Sequence, residues 1–288
     1  MDTLFNRAKW SVFRSSRKVL LRNAEILFNH RVSPELYHMG LLCPEIAAHI
    51  QPGQFMMVRV QESFDPLLRR PFAVHRIHHN DPPISFEMLY RVVGRGTRLL
   101  ADMQAPSSLN LLGPLGRGFQ VPDQDGFVLM VAGGIGIAPL PHLAETLVSA
   151  GFSGPFALWF GGKTAADLVC VKHFEDLGFA VQLVTEDGSE GRQGLVTGHL
   201  EQWLTQQDEL PEVIYSCGPH PMQRLVAEMA ARVGIASQLS MEALMGCGVG
   251  ACLSCSLRCR PPEGAHDPHY ANVCQDGPVF DGEQIVWD

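Results

Sequence analysis

The chain has 288 residues, of which 46% are hydrophobic and 18% are charged. This composition is typical of globular proteins and allows two or three domains, each with its own core. The formal net charge of -8 argues against binding to nucleic acid. The longest uncharged run, residues 127–141, is shorter than a membrane span and contains three glycines. We therefore expect a cytoplasmic protein without a membrane span.

The beginning of the chain is basic. The first 31 residues contain seven lysines and arginines against two acidic residues. No apolar segment of signal-peptide length follows these charges. We therefore interpret residues 1–17 as an N-terminal extension that precedes the first domain.

Residues 18–122 contain short β-rich runs that are separated by proline and glycine turns. The runs fall at residues 54–60, 71–77, 84–93 and 108–113. Several short strands without long helical stretches favour an antiparallel barrel or sandwich.

Residues 123–236 follow a different pattern, in which buried-type strands alternate with helices. A continuous apolar strand leads into a glycine-rich turn and then into a predicted helix at residues 139–150. Such alternation predicts a parallel, doubly wound sheet with its ligand beyond the carboxyl ends of the strands. A later helix is predicted to have one apolar side, formed by Leu225, Val226, Met229 and Val233.

Two turns of this second part are candidates for a nicotinamide dinucleotide site. The sequence GGIGIAPL, with Gly133, Gly134 and Gly136, lies where glycines let a pyrophosphate approach backbone amides. The sequence CGPHPM, with Cys217, Gly218 and Pro219, follows a later strand and would lie at the same rim. Cys217 is our candidate for the vicinity of the reacting ring. A purely structural turn and a merely buried thiol remain the alternatives.

The first part carries two candidate flavin-binding motifs. RRPFAV offers Arg70 as a cation for a flavin or its pyrophosphate. LYRVVGRGT adds Tyr90 as a ring to stack, Arg91 as a second cation, and Gly96 with Thr97 for phosphate. The alternative for these residues is the solvated face of a strand.

The most specific feature is a cysteine cluster near the end of the chain. Cys247, Cys252 and Cys255 have C-x4-C-x2-C spacing, and eighteen residues separate Cys255 from Cys274. This is the plant-type ferredoxin pattern for a 2Fe-2S cluster. The intervening glycines keep side chains away and permit tight turns. We therefore predict a small cluster-binding domain at residues 237–288.

Alternatives remain for these cysteines. Zinc would usually take two C-x2-C pairs, and a Rieske centre would use histidines such as His266 and His269. Cys259 could compete with Cys274 as the fourth ligand. Cys43 and Cys170 are interpreted as small buried apolar residues.

In this order, the motifs resemble the iron-sulfur flavoprotein electron-transfer subunits of class 1B dihydroorotate dehydrogenases, within the ferredoxin reductase superfamily. The resemblance extends from about residue 18 to residue 280 and is most specific at SMEALMGCGVGACLSC and VCQDGPVF. It implies FAD on the barrel, NAD on the second domain and one 2Fe-2S cluster. The implied flavin contacts are Arg70, Pro71, Phe72, Ala73, Leu89, Tyr90, Arg91, Gly96 and Thr97, and the implied cluster ligands are Cys247, Cys252, Cys255 and Cys274.

The resemblance also implies a partner. The chain has no residues left for a (β/α)8 barrel, which needs about 250 residues. Dihydroorotate oxidation in pyrimidine biosynthesis would therefore occur on an FMN-containing catalytic subunit, in a heterotetramer with two copies of each chain. Electrons would pass through the 2Fe-2S cluster and FAD to NAD+.

Two other functions fit parts of the sequence. One is a related subunit of a ferredoxin:NADP oxidoreductase or sulfide dehydrogenase complex, and the other is a zinc-binding interaction module. Ala73 departs from the serine that is usual in the family, which would change the hydrogen bonding of the flavin. Glu186 and Asp187 favour NAD, whereas Lys163 or Arg192 would favour NADP.

Overall fold

The computed structural model describes residues 18–78, 84–122, 126–261 and 269–287, together with the backbone of the two-residue strand β1, Trp10–Ser11. The predicted N-terminal extension otherwise lies outside the described residues. The first unit contains the strands β2 Leu20–Arg31, β3 Leu36–Leu42, β4 Phe55–Arg59, β5 Arg70–Ala73, β6 Arg76–His78, β7 Ser85–Arg91 and β8 Ser108–Leu115, with the helices α1 Pro44–Ala47 and α2 Arg95–Ala101. The strand β9, Val121–Pro122, follows and pairs with β1.

These seven strands form one antiparallel sheet in the order β5-β4-β8-β2-β3-β7-β6. Its two edge strands, β5 and β6, are consecutive in the chain and only Val74 and His75 lie between them. The sheet must therefore curl until its edges meet, as in a barrel. Inward-facing side chains such as Ile26, Met39, Met56 and Phe86 fill the interior.

One predicted strand of the barrel is divided in the structure. Residues 71–77 do not form a single strand, because β5 pairs with β4 whereas β6 pairs with β7. The apolar residues at positions 72, 74 and 77 gave no sign of this division, since both short strands contribute to the same core.

The second unit is a seven-stranded sheet with helices on both faces. Its strands are β10 Val128–Gly133, β11 Phe156–Gly162, β12 Ala180–Thr185, β13 Arg192–Gln193, β14 Val213–Cys217, β15 Ala236–Ser240 and β18 Val279–Asp281, and its helices are α3 Leu140–Ser149, α4 Val171–Asp176, α5 Val196–Leu204 and α6 His220–Val233. The order β13-β12-β11-β10-β14-β15-β18 is parallel except for β18. The predicted barrel and doubly wound sheet are confirmed.

The predicted apolar face of α6 is partly wrong. Val226 and Met229 are buried, but Leu225 and Val233 are 43% and 38% exposed. The buried face instead includes Met222, Ala227 and Ala230. The small alanines let the helix lie close to the sheet, and a search for large apolar residues overlooks them.

The end of the chain joins the second sheet. A two-stranded ribbon of β16 Ser256–Cys259 and β17 His269–Asn272 precedes β18, which pairs with β15 as the edge of the seven-stranded sheet. The predicted domain boundary at residues 236 and 237 falls within β15. Residues from the barrel, the sheet and the cysteine segment share one apolar core, which includes Met57, Leu129 and Val273.

Among the described residues, no helix combines the length and apolar character that crossing a bilayer requires.

Candidate cofactor sites

The structure brings four cysteines together at the end of the chain. Their thiols interact mainly in two pairs, Cys247 with Cys252 and Cys255 with Cys274, and Cys247 also acts electrostatically on Cys274. Two thiolates for each of two metal ions is the donor set of an all-cysteine 2Fe-2S cluster. Cys252 is exposed, whereas Cys255 and Cys274 are each 2% exposed, so the site lies at the surface with one buried side.

Backbone amides of the cysteine loop point at the sulfur atoms. The amides of Val249 and Ala251 donate to Cys247 Sγ at 3.4 and 3.2 Å, and the amide of Gly250 donates to Cys274 Sγ at 3.1 Å. Such N–H donors stabilise negative charge on cluster thiolates and tune the potential of the cluster. The residues present therefore fit the predicted cluster.

Cys252 and Cys274 differ in how readily they lose their protons. Burial raises the pKa of the Cys274 thiol to about 12. Hydrogen bonds from the Ser254 hydroxyl and from backbone amides lower the pKa of Cys252 to about 6. Iron binds thiolates, so loading must release the proton of Cys274. Ser254 was not among the predicted site residues, although its position inside the C-x2-C pair indicates a donor close to the thiols.

Cys259 lies outside this group of thiols. It is a buried residue of β16, where its backbone pairs with that of His269, and its side chain belongs to the shared apolar core. This placement supports Cys274 as the fourth ligand. His266 lies outside the described residues, and His269 is an exposed residue of the strand β17.

The cysteine loop packs directly on the barrel. Gly248 has a φ of +75°, and a Cβ atom there would lie 2.5 Å from Cγ of Met57 and 3.4 Å from Leu115. Only glycine combines this left-handed backbone with such a close approach. The loop is thereby held against the strands β4 and β8.

Arg70 and the start of α2 form a candidate anion site on the barrel. A Cβ atom on Gly96 would lie 2.8 Å from Arg70 Nε, so the guanidinium rests on the first turn of the helix. Amides of a first helical turn have no acceptor within the helix. The Thr97 hydroxyl accepts from the amides of Val93 and Gly94 at 2.9 and 3.0 Å, so it holds the turn and is not free to bind phosphate.

The structure contradicts the predicted role of the Tyr90 ring. Tyr90 is 1% exposed and lies inside the barrel, where its hydroxyl donates to Asn29 Oδ1 at 2.9 Å and burial raises its pKa. Leu89, on the opposite face of β7, is 3% exposed and packs toward the second unit. Contact of Leu89 and Tyr90 with FAD therefore stays a prediction. Phe72, which is half-buried in β5 beside Pro71 and Ala73, is the more accessible aromatic ring.

Arg91 connects the flavin motif to the second unit. Its Nη2 atom lies 2.5 Å from Asp167 Oδ1 and 3.7 Å from the Cβ position of Gly134. The predicted flavin cation therefore lies beside the predicted dinucleotide turn. Asp167 was missed by the sequence analysis, because nothing in its surroundings marks it as the partner of a distant arginine.

The two predicted dinucleotide turns meet at the carboxyl ends of β10 and β14. Ala132 and Cys217 are paired in register, and a Cβ atom on Gly136 would lie 2.3 Å from the Cys217 carbonyl oxygen. A Cβ atom on Gly133 would lie 2.8 Å from Cδ of Pro219, and one on Gly218 would lie 3.0 Å from the amide nitrogen of Gly133. The glycines are thus required by the packing of the turns, and dinucleotide binding at this rim stays a prediction.

Cys217 is a neutral thiol. It is 4% exposed, and burial, reinforced by the charge of Glu242, raises its pKa to about 12. A thiol of this kind is not a nucleophile near neutral pH. Its predicted role beside a reacting ring would therefore be contact and hydrogen bonding.

The residues considered for the choice between NAD and NADP lie on two neighbouring loops. The amide of Asp187 donates to the carbonyl oxygen of Lys163 at 3.2 Å, which joins the loop after β12 to the loop after β11. Arg192 lies over the Trp159 ring, with 5.5 Å between its guanidinium carbon and the ring centroid. Arg192 is therefore already engaged, which weakens the case for a 2'-phosphate at that residue.

Comparison with known protein families agrees with this geometry. Residues 242–286 match the iron-sulfur cluster binding domain of dihydroorotate dehydrogenase B. Residues 130–228 match the oxidoreductase NAD-binding domain. The first match contains all four paired cysteines, and the second contains both glycine turns.

Curated relatives extend the similarity over nearly the whole chain. The electron transfer subunit of dihydroorotate dehydrogenase B (NAD(+)) from Desulforamulus reducens is 35% identical over 268 residues, which are 92% of this chain and 98% of that protein. The chain belongs to this family. The family member from Shouchella clausii is 40% identical over 95% of this chain and 98% of its own length.

Solved structures show the same architecture. A structure described as an NADH-dependent reduced ferredoxin-NADP oxidoreductase, in work on flavin-based electron bifurcation, matches with a TM-score of 0.78 and 25% identity, covering 92% of this chain and 90% of that one. A ferredoxin NADP+ reductase from Neisseria gonorrhoeae matches with a TM-score of 0.58 and 18% identity, covering 74% and 94%. Family and fold together confirm the predicted cofactor set of FAD, one 2Fe-2S cluster and NAD.

Proposed function

We propose that the chain is the electron transfer subunit that passes electrons from an FMN-containing dihydroorotate dehydrogenase subunit to NAD+ in pyrimidine biosynthesis. The observation that carries the proposal is the packing of the cysteine loop on the barrel through Gly248 and Met57, beside a sheet that matches an NAD-binding domain. When bound, FAD exchanges a hydride with NAD and single electrons with an iron-sulfur cluster.

Different residues would bind the different cofactors. Cys247, Cys252, Cys255 and Cys274 hold the cluster in the proposal, and the loop amides stabilise the charge on its thiolates. Arg70 and the first turn of α2 bind the flavin pyrophosphate, while Phe72 lies against its ring. The rim formed by Gly136 and Cys217 receives the nicotinamide dinucleotide.

Exposed apolar residues beside the cluster support a partner subunit. Leu244, Leu253 and Val249 are 89%, 62% and 47% exposed, and all three lie in the segment that carries the cysteines. Apolar side chains grouped on a surface mark protein interfaces. We propose that the FMN-containing catalytic subunit covers them, in a heterotetramer with two copies of each chain. The cytoplasm is the proposed location, since clustered unpaired thiols suit a reducing compartment.

The test compares the purified, cofactor-loaded chain alone with the chain plus the catalytic subunit. We expect flavin, two irons and two sulfides per chain, no NAD+ reduction by dihydroorotate from the chain alone, and NADH formation at 340 nm once the partner is added. Turnover of dihydroorotate without the partner would refute the proposal. A colourless, zinc-containing protein would refute the cofactor assignment.

A further inference from the structure

A short turn of the second unit contacts both the barrel and the loop that follows β12. This bridging turn comprises residues 163–167, directly after β11. On the barrel side, Asp167 Oδ1 lies 2.5 Å from Nη2 of Arg91, a predicted flavin contact at the end of β7. The Ser33 hydroxyl, between β2 and β3, donates to the carbonyl oxygen of Ala166 at 2.5 Å. Two contacts therefore hold the bridging turn against the barrel.

The carboxylate of Asp167 determines the shape of the bridging turn. While Oδ1 faces Arg91, Oδ2 accepts hydrogen bonds from the backbone amides of Lys163 and Thr164 at 2.9 and 3.4 Å. The Thr164 hydroxyl accepts from the amide of Ala166 at 3.2 Å. These reciprocal bonds form a capping box, which satisfies amides that have no acceptor within the turn. One side chain thus fixes both the bridging turn and Arg91.

Arg91 depends on this carboxylate for its position. The side chain of Arg91 is 23% exposed and that of Asp167 is 16% exposed, so water screens the pair only in part. Arg91 Nε is buried and has no hydrogen-bond partner among the described residues. Arg91 Nη2 also lies 3.7 Å from the Cβ position of Gly134, in the predicted dinucleotide turn. Asp167 therefore holds the predicted flavin cation beside the predicted dinucleotide site.

The other side of the bridging turn contacts the loop after β12. The amide of Ala165 donates to Ser189 Oγ at 2.8 Å, and Ser189 Oγ donates to Asp187 Oδ1 at 2.6 Å. The amide of Ser189 donates to the same Asp187 oxygen at 2.9 Å. These bonds from Ser189 lower the pKa of the Asp187 carboxyl. The bridging turn therefore helps to orient an ionised Asp187.

The orientation of Asp187 matters for recognition of the dinucleotide. In doubly wound sheets, an acidic side chain beside the ribose accepts a hydrogen bond from the 2'-hydroxyl of NAD. Asp187 is one of the residues predicted to favour NAD over NADP. A continuous path of contacts thus leads from Arg91, in the flavin motif, through the bridging turn and Ser189 to the predicted ribose contact.

We propose that Asp167 is a positioning residue that couples the binding of FAD to the binding of the nicotinamide dinucleotide. The inference rests on the proposed function, which assigns these two ligands to the barrel and to the second sheet. A ligand that engages Arg91 or Asp187 orders the contacts that both sites share, so the second ligand binds to a preorganised site. Because such coupling is reciprocal, each ligand tightens the binding of the other by the same factor.

The test measures how ADP-ribose changes the affinity of the chain for FAD. ADP-ribose has the phosphates and riboses of NAD but no nicotinamide, so it cannot exchange a hydride with the flavin. The cofactor-loaded chain is diluted with or without saturating ADP-ribose, and the fluorescence of released flavin at equilibrium gives the Kd of FAD. In the wild type, we expect ADP-ribose to lower this Kd at least about fivefold.

Two variants interrupt the path at different points. Asp167→Asn removes the charge that faces Arg91 and should reduce the ADP-ribose effect to less than about twofold, whereas Asp167→Glu should restore part of it. Ser189→Ala should also reduce the effect, but it should leave the Kd of FAD without ADP-ribose unchanged. Ser189 is exposed, so this variant tests the path even if Asp167→Asn does not fold. A purely structural defect would weaken FAD binding equally with and without ADP-ribose.

The matched control is Asp176→Asn, since Asp176 forms an exposed ion pair with Lys172 on α4. It should retain the full ADP-ribose effect. An unchanged effect in Ser189→Ala and Asp167→Asn, or no effect in the wild type, would overturn the proposal. A wild type that binds neither FAD nor ADP-ribose would refute the cofactor assignment and the proposal together. An intact ADP-ribose effect without dihydroorotate turnover in the presence of the partner would refute the proposed function alone.

Discussion

The cysteines of the chain occupy environments that separate their chemical roles. Cys274 and Cys259 are both almost fully buried, at 2% and 5% exposure, yet only Cys274 accepts a hydrogen bond from the loop amide of Gly250. Burial alone therefore does not identify a ligand. The position of the thiol relative to the loop amides does.

The comparison of Cys274 with Cys259 leads to a testable prediction. Cys274→Ser should lose most of the iron and sulfide, since an alcohol is a poor iron ligand, whereas Cys259→Ser should retain both. The measurement is iron and sulfide per chain, with the electron paramagnetic resonance signal of the dithionite-reduced protein. Loss of the cluster in Cys259→Ser, with Cys274→Ser still loaded, would reverse the ligand assignment.

For individual residues, the sequence predicted a functional role correctly where the spacing of the residues determines which side chains can meet. The C-x4-C-x2-C pattern predicted three cysteines that the structure places together, because short covalent spacing limits where their thiols can go. The sequence did not indicate where the Tyr90 ring lies. Which face of β7 points into the barrel depends on how distant strands close the sheet, and the motif does not encode this.

At the level of elements, the cysteine loop depends on close backbone packing. Gly248 lies against Met57 with a left-handed backbone. Gly248→Ala should destabilise the loop by more than the roughly 1–2 kcal/mol that the backbone conformation costs, because its Cβ atom also meets Met57. We expect reduced iron content and faster loss of cluster absorbance on warming.

The control for this change is Gly198→Ala. Gly198 lies in α5, and a Cβ atom there would meet nothing within 4 Å. This substitution should stabilise the helix slightly, by up to about 1 kcal/mol, without changing the iron content. Equal iron loss in both variants would show that the backbone geometry at Gly248 does not determine how well the cluster is retained.

A second element-level feature is the ion pair between the barrel and α3. Glu145 Oε1 lies 2.6 Å from Arg76 Nε and 3.1 Å from His173 Nε2. Burial opposes ionisation of Glu145, but the nearby His173 ring and the charge of Arg76 outweigh this effect and lower the pKa of Glu145. The ionised form of Glu145 is therefore more stable in the folded protein than in the unfolded chain.

The sign of the pH dependence follows. Because the pKa of Glu145 is lower in the folded protein than in the unfolded chain, ionised Glu145 stabilises the fold at pH values above the unfolded pKa of about 4.5. This stabilisation is lost as the pH falls through the pKa of the folded state. Glu145→Gln should cost about 1–3 kcal/mol at neutral pH and reduce the loss of stability on acidification. Chemical denaturation between pH 3 and 7 measures both effects.

Glu228→Gln is the matched control, since Glu228 forms an exposed pair with Arg224 on α6. Its effect should remain within about 0.5 kcal/mol at every pH. A comparable cost for both variants would mean that Glu145 contributes no more than an ordinary surface charge.

The types of the elements were largely predictable, but their partners were not. Alternation of strands and helices correctly predicted the parallel sheet, because buried strands have a recognisable composition. The division of residues 71–77 into β5 and β6 was hidden, since two residues suffice to move the chain from one edge of the sheet to the other.

For the whole molecule, the partner surface gives the fourth prediction. Leu244 is 89% exposed beside the cysteines. If the catalytic subunit covers it, Leu244→Ser should weaken assembly by about 1.5–3 kcal/mol, which corresponds to a Kd about 10- to 140-fold higher. Analytical ultracentrifugation with the partner measures this, and iron content and flavin should not change.

Leu195→Ser is the control, because it replaces another exposed leucine that lies away from the proposed interface. Leu195 is 62% exposed and precedes α5, outside the segment that carries the cysteines. Its replacement should leave assembly unchanged. If both variants bind the partner as tightly as the wild type, the interface lies elsewhere on the molecule.

The relation between the units was the least predictable feature. The contact between Arg91 and Asp167 and the contact between Ser33 and Ala166 join residues that are distant in sequence and follow no motif. Such contacts depend on how two folded units pack, and single-sequence patterns report only on each unit separately.

The strand β18 gives the molecule a further property. Because Val279–Asp281 is hydrogen-bonded into the second sheet, the cysteine segment is tied to that sheet at both its ends, through β15 and β18. Electron tunnelling weakens steeply as the gap between two carriers widens. A cluster held by the cysteine segment would therefore keep a fixed position relative to the sheet, and its rate of electron transfer would not depend on movement of the segment.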